Sequence, residues 1–108
     1  MIVVTSEYIA GKKIVKSLGL VRGSSVRGRH VGRDLIAHLR NAVGGEIVEY
    51  TKMMAETREQ ALDRMLEEAR ELGANGIVSV EIVANMTMPG AAEILAYGTA
   101  VIYEDEDA

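Results

Sequence analysis

The chain has 108 residues, 48% hydrophobic and 26% charged, a balance that suits one soluble domain with a single core. It contains no Cys, Trp or Phe, which excludes disulfides, thiolate metal sites and Cys nucleophiles and leaves Val, Ile, Leu, Met, Ala and four tyrosines to build the core. The formal charge of −4 hides a split: residues 1–40 hold eight Lys/Arg against two acids, and residues 41–108 hold four against fourteen. Such asymmetry suits charge pairing within the fold or between identical subunits.

The N-terminal "MIVVT" reads as a strand and lacks the basic and long apolar regions of a signal peptide. No run approaches a membrane span, so a cytoplasmic protein is expected. After Gly11, "KKIVKSLGLVRGSSVRG" reads as a second strand, bent or bulged at its glycines Gly19, Gly23 and Gly28. "GRDLIAHLRNAVGG" spaces Leu35, Ile36, Leu39 and Val43 for a short amphipathic helix that Gly44 or Gly45 would end.

From about Thr51 to Leu72, apolar Met54, Ala61, Leu62, Met65, Leu66, Ala69 and Leu72 alternate with an acidic face, predicting a second helix closed by Gly73. "LGANG" is then a helix stop and turn. "IVSVEIV" follows as a strand, with Val78, Val80 and Ile82 expected on one face and Ser79 and Glu81 on the other. "NMTMPG" is a loop around Pro89 and Gly90, "EILAYGTAVIY" is the last strand, and residues 104–108 form an acidic tail expected to be disordered. The domain is thus residues 1–103.

Both faces of the last strand are apolar or small. Leu95, Tyr97, Thr99, Val101 and Tyr103 line one, and Ile94, Ala96, Gly98, Ala100 and Ile102 the other. A two-layer domain covers only one face of its sheet, so the second is expected to be buried by another subunit.

Arg33-Asp34, Arg40, Val43-Gly44-Gly45, Tyr50, Arg58, Gly73-Ala74-Asn75 and Gly98-Thr99-Ala100-Val101, in that order, resemble the YbjQ family, whose label is heavy-metal binding. The resemblance runs from about Met1 to Val101. It implies an α+β subunit in which antiparallel strands flank two consecutive helices (β-β-α-α-β-β), assembled with itself as a ring-like homopentamer. The chain departs from the family pattern at Glu46, where an Arg is usual, at His30, where an Asn is usual, and at Gly76 and Ser79, where Ala and Gly are usual.

Soft metals need several thiolate, thioether or imidazole donors converging on one point. Without Cys, the candidates are His30, Met86 and Met88, since His30 and His38 lack the i, i+4 spacing of a helical pair; methionines of this kind more often fill gaps between apolar surfaces. "GSSVRGRH" misses a phosphate loop, with Arg29 for Lys and His30 for Ser/Thr. Arg27, Arg29 and Arg33 do gather before a helix start, where a small anionic ligand or cofactor could bind at the subunit interface as the alternative function, although a basic surface paired with the acidic half of the same or a neighbouring subunit is the plainer reading.

No nucleophile, base and orienting group assemble, so no catalytic residue and no enzyme are expected. The basic segment has no aromatic residue for stacking, so no nucleic-acid partner is expected.

Overall fold

The computed structural model describes residues 1–27, 45–88 and 91–107. In chain order these form β1 (Ile2–Val3), β2 (Lys12–Arg27), α1 (Gly45–Glu71), β3 (Gly76–Met88) and β4 (Ala91–Asp105). The strands make one sheet in the order β1-β3-β4-β2. Helix α1 lies across one face, chiefly over β2 and β4.

The class is α+β, but the β-β-α-α-β-β expectation is corrected. The sheet is mixed: β3 and β2 run antiparallel to β4, whereas β1 runs parallel to β3 with Ile2 opposite Gly76. Parallel neighbours need a long crossover, and here β2 and α1 supply it. Among the described residues there is one helix. The expected first helix lies outside them, and Gly45, expected to end it, instead opens α1, a helix-start position where Gly is well tolerated.

A single seam seats α1 on the sheet. Thr57, Ala61, Met65 and Ala69 recur at every fourth residue and are all fully buried, as a helix stripe facing a sheet requires. Thr57 spends its hydroxyl on the Met53 carbonyl at 2.7 Å, one turn back, which lets a polar side chain lie in the seam. Across from it, Gly23 of β2 has no room for a side chain. A Cβ there would lie 2.8 Å from Arg64 Cβ and closer still to the Ala61 carbonyl oxygen and the Met65 amide nitrogen. Gly23 therefore marks a close approach of helix to strand; the bend expected among the glycines sits earlier, at Gly19, where φ is 107° and the β2–β4 register shifts.

The end of α1 agrees with its sequence. Gly73 has φ 83°, its N–H bonds the Arg70 carbonyl at 2.9 Å, and the Ala74 N–H bonds the Ala69 carbonyl at 3.0 Å. These two bonds satisfy carbonyls the helix leaves unpaired. Asn75 follows and acts as an extra rung of the sheet: its side chain accepts from Tyr103 N–H at 2.9 Å and donates to the Tyr103 carbonyl at 3.0 Å.

Strand β3 does not alternate as expected. Ser79 sits at φ 54°, and Ser79 and Val80 together oppose Gly98, forming a bulge. One extra residue flips the side chains beyond it. Val78 therefore packs with Ile9 and Val101 on one face, while Val80 packs with Ile77 and Met65 in the core under α1. The bulge also ties down the N-terminal segment, because Ser79 N–H bonds the Ser6 carbonyl at 2.8 Å and Val80 N–H bonds the Val4 carbonyl at 3.1 Å. Gly98 is small for this reason: a Cβ there would be 2.8 Å from Ile77 Cγ2 and 3.0 Å from the Val78 carbonyl oxygen.

The acidic tail is also corrected. Glu104 and Asp105 belong to β4, where Asp105 pairs with Lys12 and the Glu106 N–H bonds the Gly11 carbonyl at 3.2 Å.

Candidate functional site

Central β4 divides the molecule into two surfaces. Its residues Ile94, Ala96, Gly98 and Ala100 are buried on the helix side. On the opposite face the chain covers one end itself, where Ile9 lies against Val78 and Val101 with Ile2, Val4, Ile14 and Tyr103 around them. The rest of that face stays open. Leu95, Tyr97 and Thr99 are half-buried, while Leu20 and Val26 of β2 are 62% and 58% exposed beside them and Val83 of β3 is exposed on the other side.

Across the open face the register places Arg22, Tyr97 and Glu81 in one row. The Tyr97 hydroxyl donates a hydrogen bond to Glu81. That bond, and then the Glu81 charge itself, raise the Tyr97 phenol above its ordinary value of 10.0, because both favour the neutral hydroxyl.

A second cluster sits where the end of β2 meets α1. Buried Ser25 donates to the Gln60 side-chain oxygen, which also accepts from Arg27 Nε at 3.3 Å. Arg27 reaches Glu56 at 3.3 Å as well. Arg27, Glu56 and Gln60, with Ala55, Glu59 and Asp63, line an open depression of about 390 Å³. Three carboxylates and one guanidinium give its wall a net negative charge. One helical turn along, Arg64 Nη1 donates to the Ser24 carbonyl at 2.5 Å, capping the outer edge of β2.

Of the residues singled out by sequence, Arg27 is turned onto α1 and held by Glu56 and Gln60. Arg29, Arg33 and His30 lie outside the described residues. Met86 lies opposite Ala92 and is 61% exposed; Met88 lies opposite Ala91, with a register shift between the two methionines. Among the described residues no three His, Cys, Asp or Glu side chains are arranged to hold a metal ion. Sequence reasoning missed Gln60 and Arg64, whose signal is that they flank Ala61 on the edge of the helix seam.

Among the described residues, a mixed four-stranded sheet with one helix across it and one face partly open defines a two-layer α+β domain. Among the described residues no helix is long and apolar enough to cross a membrane. The chain belongs to the YbjQ family, whose model, described as "Putative heavy-metal-binding", matches residues 1–104. A UPF0145 protein of Methanosarcina acetivorans is 52% identical over 101 residues, covering 94% of this chain and 95% of the relative. One from Clostridioides difficile is 50% identical over 107 residues, covering 99% and 96%. The crystal structure of a Pediococcus pentosaceus protein of unknown function, assigned to the DUF74 family, superposes with a TM-score of 0.66 at 17% identity, covering 96% of this chain and 98% of that one. That likeness shows the fold.

Proposed function

We propose that this chain is the subunit of a homo-oligomeric ring, five-membered by its family resemblance, and that it works as a binding or structural module without catalytic chemistry. The observation that carries the reading is the open sheet face, where Leu20 and Val26 are more than half exposed around half-buried Leu95 and Thr99. Apolar surface gathered on one face of a small domain marks an interaction site. A core without Phe or Trp also gains from burial between subunits. The charge split supports self-association, since a cation-rich first half and an acid-rich second half are present in the same chain.

Native mass spectrometry of protein purified without chelator tests this. The expected species has five times the 11.7 kDa subunit mass, and a monomer at micromolar concentration overturns the assembly. Heavy-metal binding is the second reading, favoured by the family's description. Titration with Cu(I) should then give heat that is reduced in Met88→Ala or His30→Ala. Heat unchanged in both variants removes these residues from any such site.

A further inference from the structure

The two edges of the sheet are guarded very differently. The β2 edge carries Lys12, Lys13, Lys16, Arg22 and Arg27 and no acid, is broken by two register shifts, and has its Ser24 carbonyl covered by Arg64. Lysines and bulges of this kind keep a strand edge from pairing with another chain, and here they guard the first half of β2, whereas the register is regular from Gly19 onward. On β3, residues 4–6 cover the edge as far as Val80. Beyond it, "EIVAN" (residues 81–85) has a single charge, Glu81, and no Gly or Pro, and Ile82 and Val83 are exposed. Val80 directs its N–H outward to Val4, so by strand alternation Ile82 and Ala84 also present outward amides. The same logic applied to Ser24, whose carbonyl faces out to Arg64, places outward amides at Arg22 and Leu20 of β2.

We infer that the β3 edge at residues 81–85 is a strand-addition site whose occupant is the β2 edge of a second copy, near Leu20–Arg22. This rests on the ring reading above and specifies its contact. The charges select the partner. Two β2 edges repel one another through Lys13, Lys16 and Arg22, since Lys12 and Arg27 are paired with Asp105 and Glu56 of their own subunit, whereas the β3 margin carries Glu81 and, on the adjacent strand, Glu93. Pairing β2 with β3 joins two different surfaces of the same molecule, which is the head-to-tail geometry that closes into rings, while β3 with β3 would stop at a two-fold dimer. It also extends the open face from one subunit to the next, setting Leu20 and Val26 beside the Val83 margin of the neighbour.

The test uses two proline variants, each removing an outward amide that the subunit's own ladder does not use. Ala84→Pro blocks the β3 edge and Arg22→Pro the β2 edge. By native mass spectrometry each alone should fall from the wild-type assembly to monomer, and the two mixed should give a 1:1 heterodimer, since each keeps one intact edge. Wild-type assembly retained by Arg22→Pro, or a mixture that stays monomeric while both variants keep the wild-type far-UV spectrum, overturns the inference. A wild-type chain that is itself monomeric overturns the ring reading instead. If a proline variant loses its spectrum, Glu81→Lys and Arg22→Glu replace the pair: each alone should assemble less than wild type, and the mixture should reassemble. No recovery on mixing refutes the pairing.

Discussion

Replacing Gly23 by Ala adds one methyl group at the point where α1 rests on β2. The added Cβ would meet the Ala61 carbonyl oxygen, the Met65 amide nitrogen and Arg64 Cβ. The first two are backbone atoms of a hydrogen-bonded helix and cannot rotate aside. Relief comes only by lifting the helix, by roughly 0.5–1 Å, which forfeits about a quarter to a half of the dispersion contacts along the seam. A buried side chain the size of Met65 makes some 40–60 contacts of ~0.1 kcal/mol each, so its share of the loss is about 1–3 kcal/mol, in line with measured overpacking of ~1–3 kcal/mol. In urea, with a slope of about 1–3 kcal/mol/M, the unfolding midpoint followed by far-UV circular dichroism should drop by about 1 M at fixed protein concentration. Ala61→Gly should not rescue the variant, because the obstacle is the Ala61 carbonyl and not its side chain. A midpoint unchanged in Gly23→Ala, or restored in the double variant, refutes the close-approach argument.

Ser79→Gly should stabilise the protein by about 0.5–1 kcal/mol, because a left-handed conformation at a non-Gly residue costs ~1–2 kcal/mol; differential scanning calorimetry should find a higher Tm, and a lower one refutes strain at the bulge. Glu81→Gln should return the Tyr97 phenol towards 10.0 by weakening the bond and removing the charge that raise it. The raised value contributes stability fully present below pH 10 and lost as pH rises through the folded-state value, so the wild-type advantage over the variant should shrink in that window. Absorbance at 295 nm, referenced to Tyr97→Phe, follows the ionisation; coincident curves for wild type and Glu81→Gln remove the interaction.

The long helix and its stop were legible because both signals are local: Ala61, Met65 and Ala69 fall on one helical stripe, and Gly73 takes a conformation that Gly adopts freely. The two-sided last strand was also legible from its alternation, although Ile9 and Val78 turn out to cover one end of it from within the chain. What sequence could not give depends on partners distant in the chain. Gly23 looked like a bend and is a contact with a helix backbone some forty residues away. Ser79 looked like an outward polar residue, yet it inserts a step that puts Val78 and Val80 on opposite faces. The parallel β1 is two residues long, too short for any period to declare its direction. At the candidate site, Arg27 was visible as a charge, but its capture by Glu56 and Gln60 needed the helix to be placed first.

The register of β2 on β4, from Lys12 opposite Asp105 to Arg27 opposite Ala92, also governs when this chain can fold. The most extensive strand pairing joins segments near opposite ends of the sequence, which gives high contact order and slow folding relative to helical proteins of similar size. During synthesis β2 emerges early and waits, without its central partner, until β4 follows β3 out of the ribosome. Over that interval its row of lysines and arginines disfavours pairing of the waiting strand with another unfinished chain.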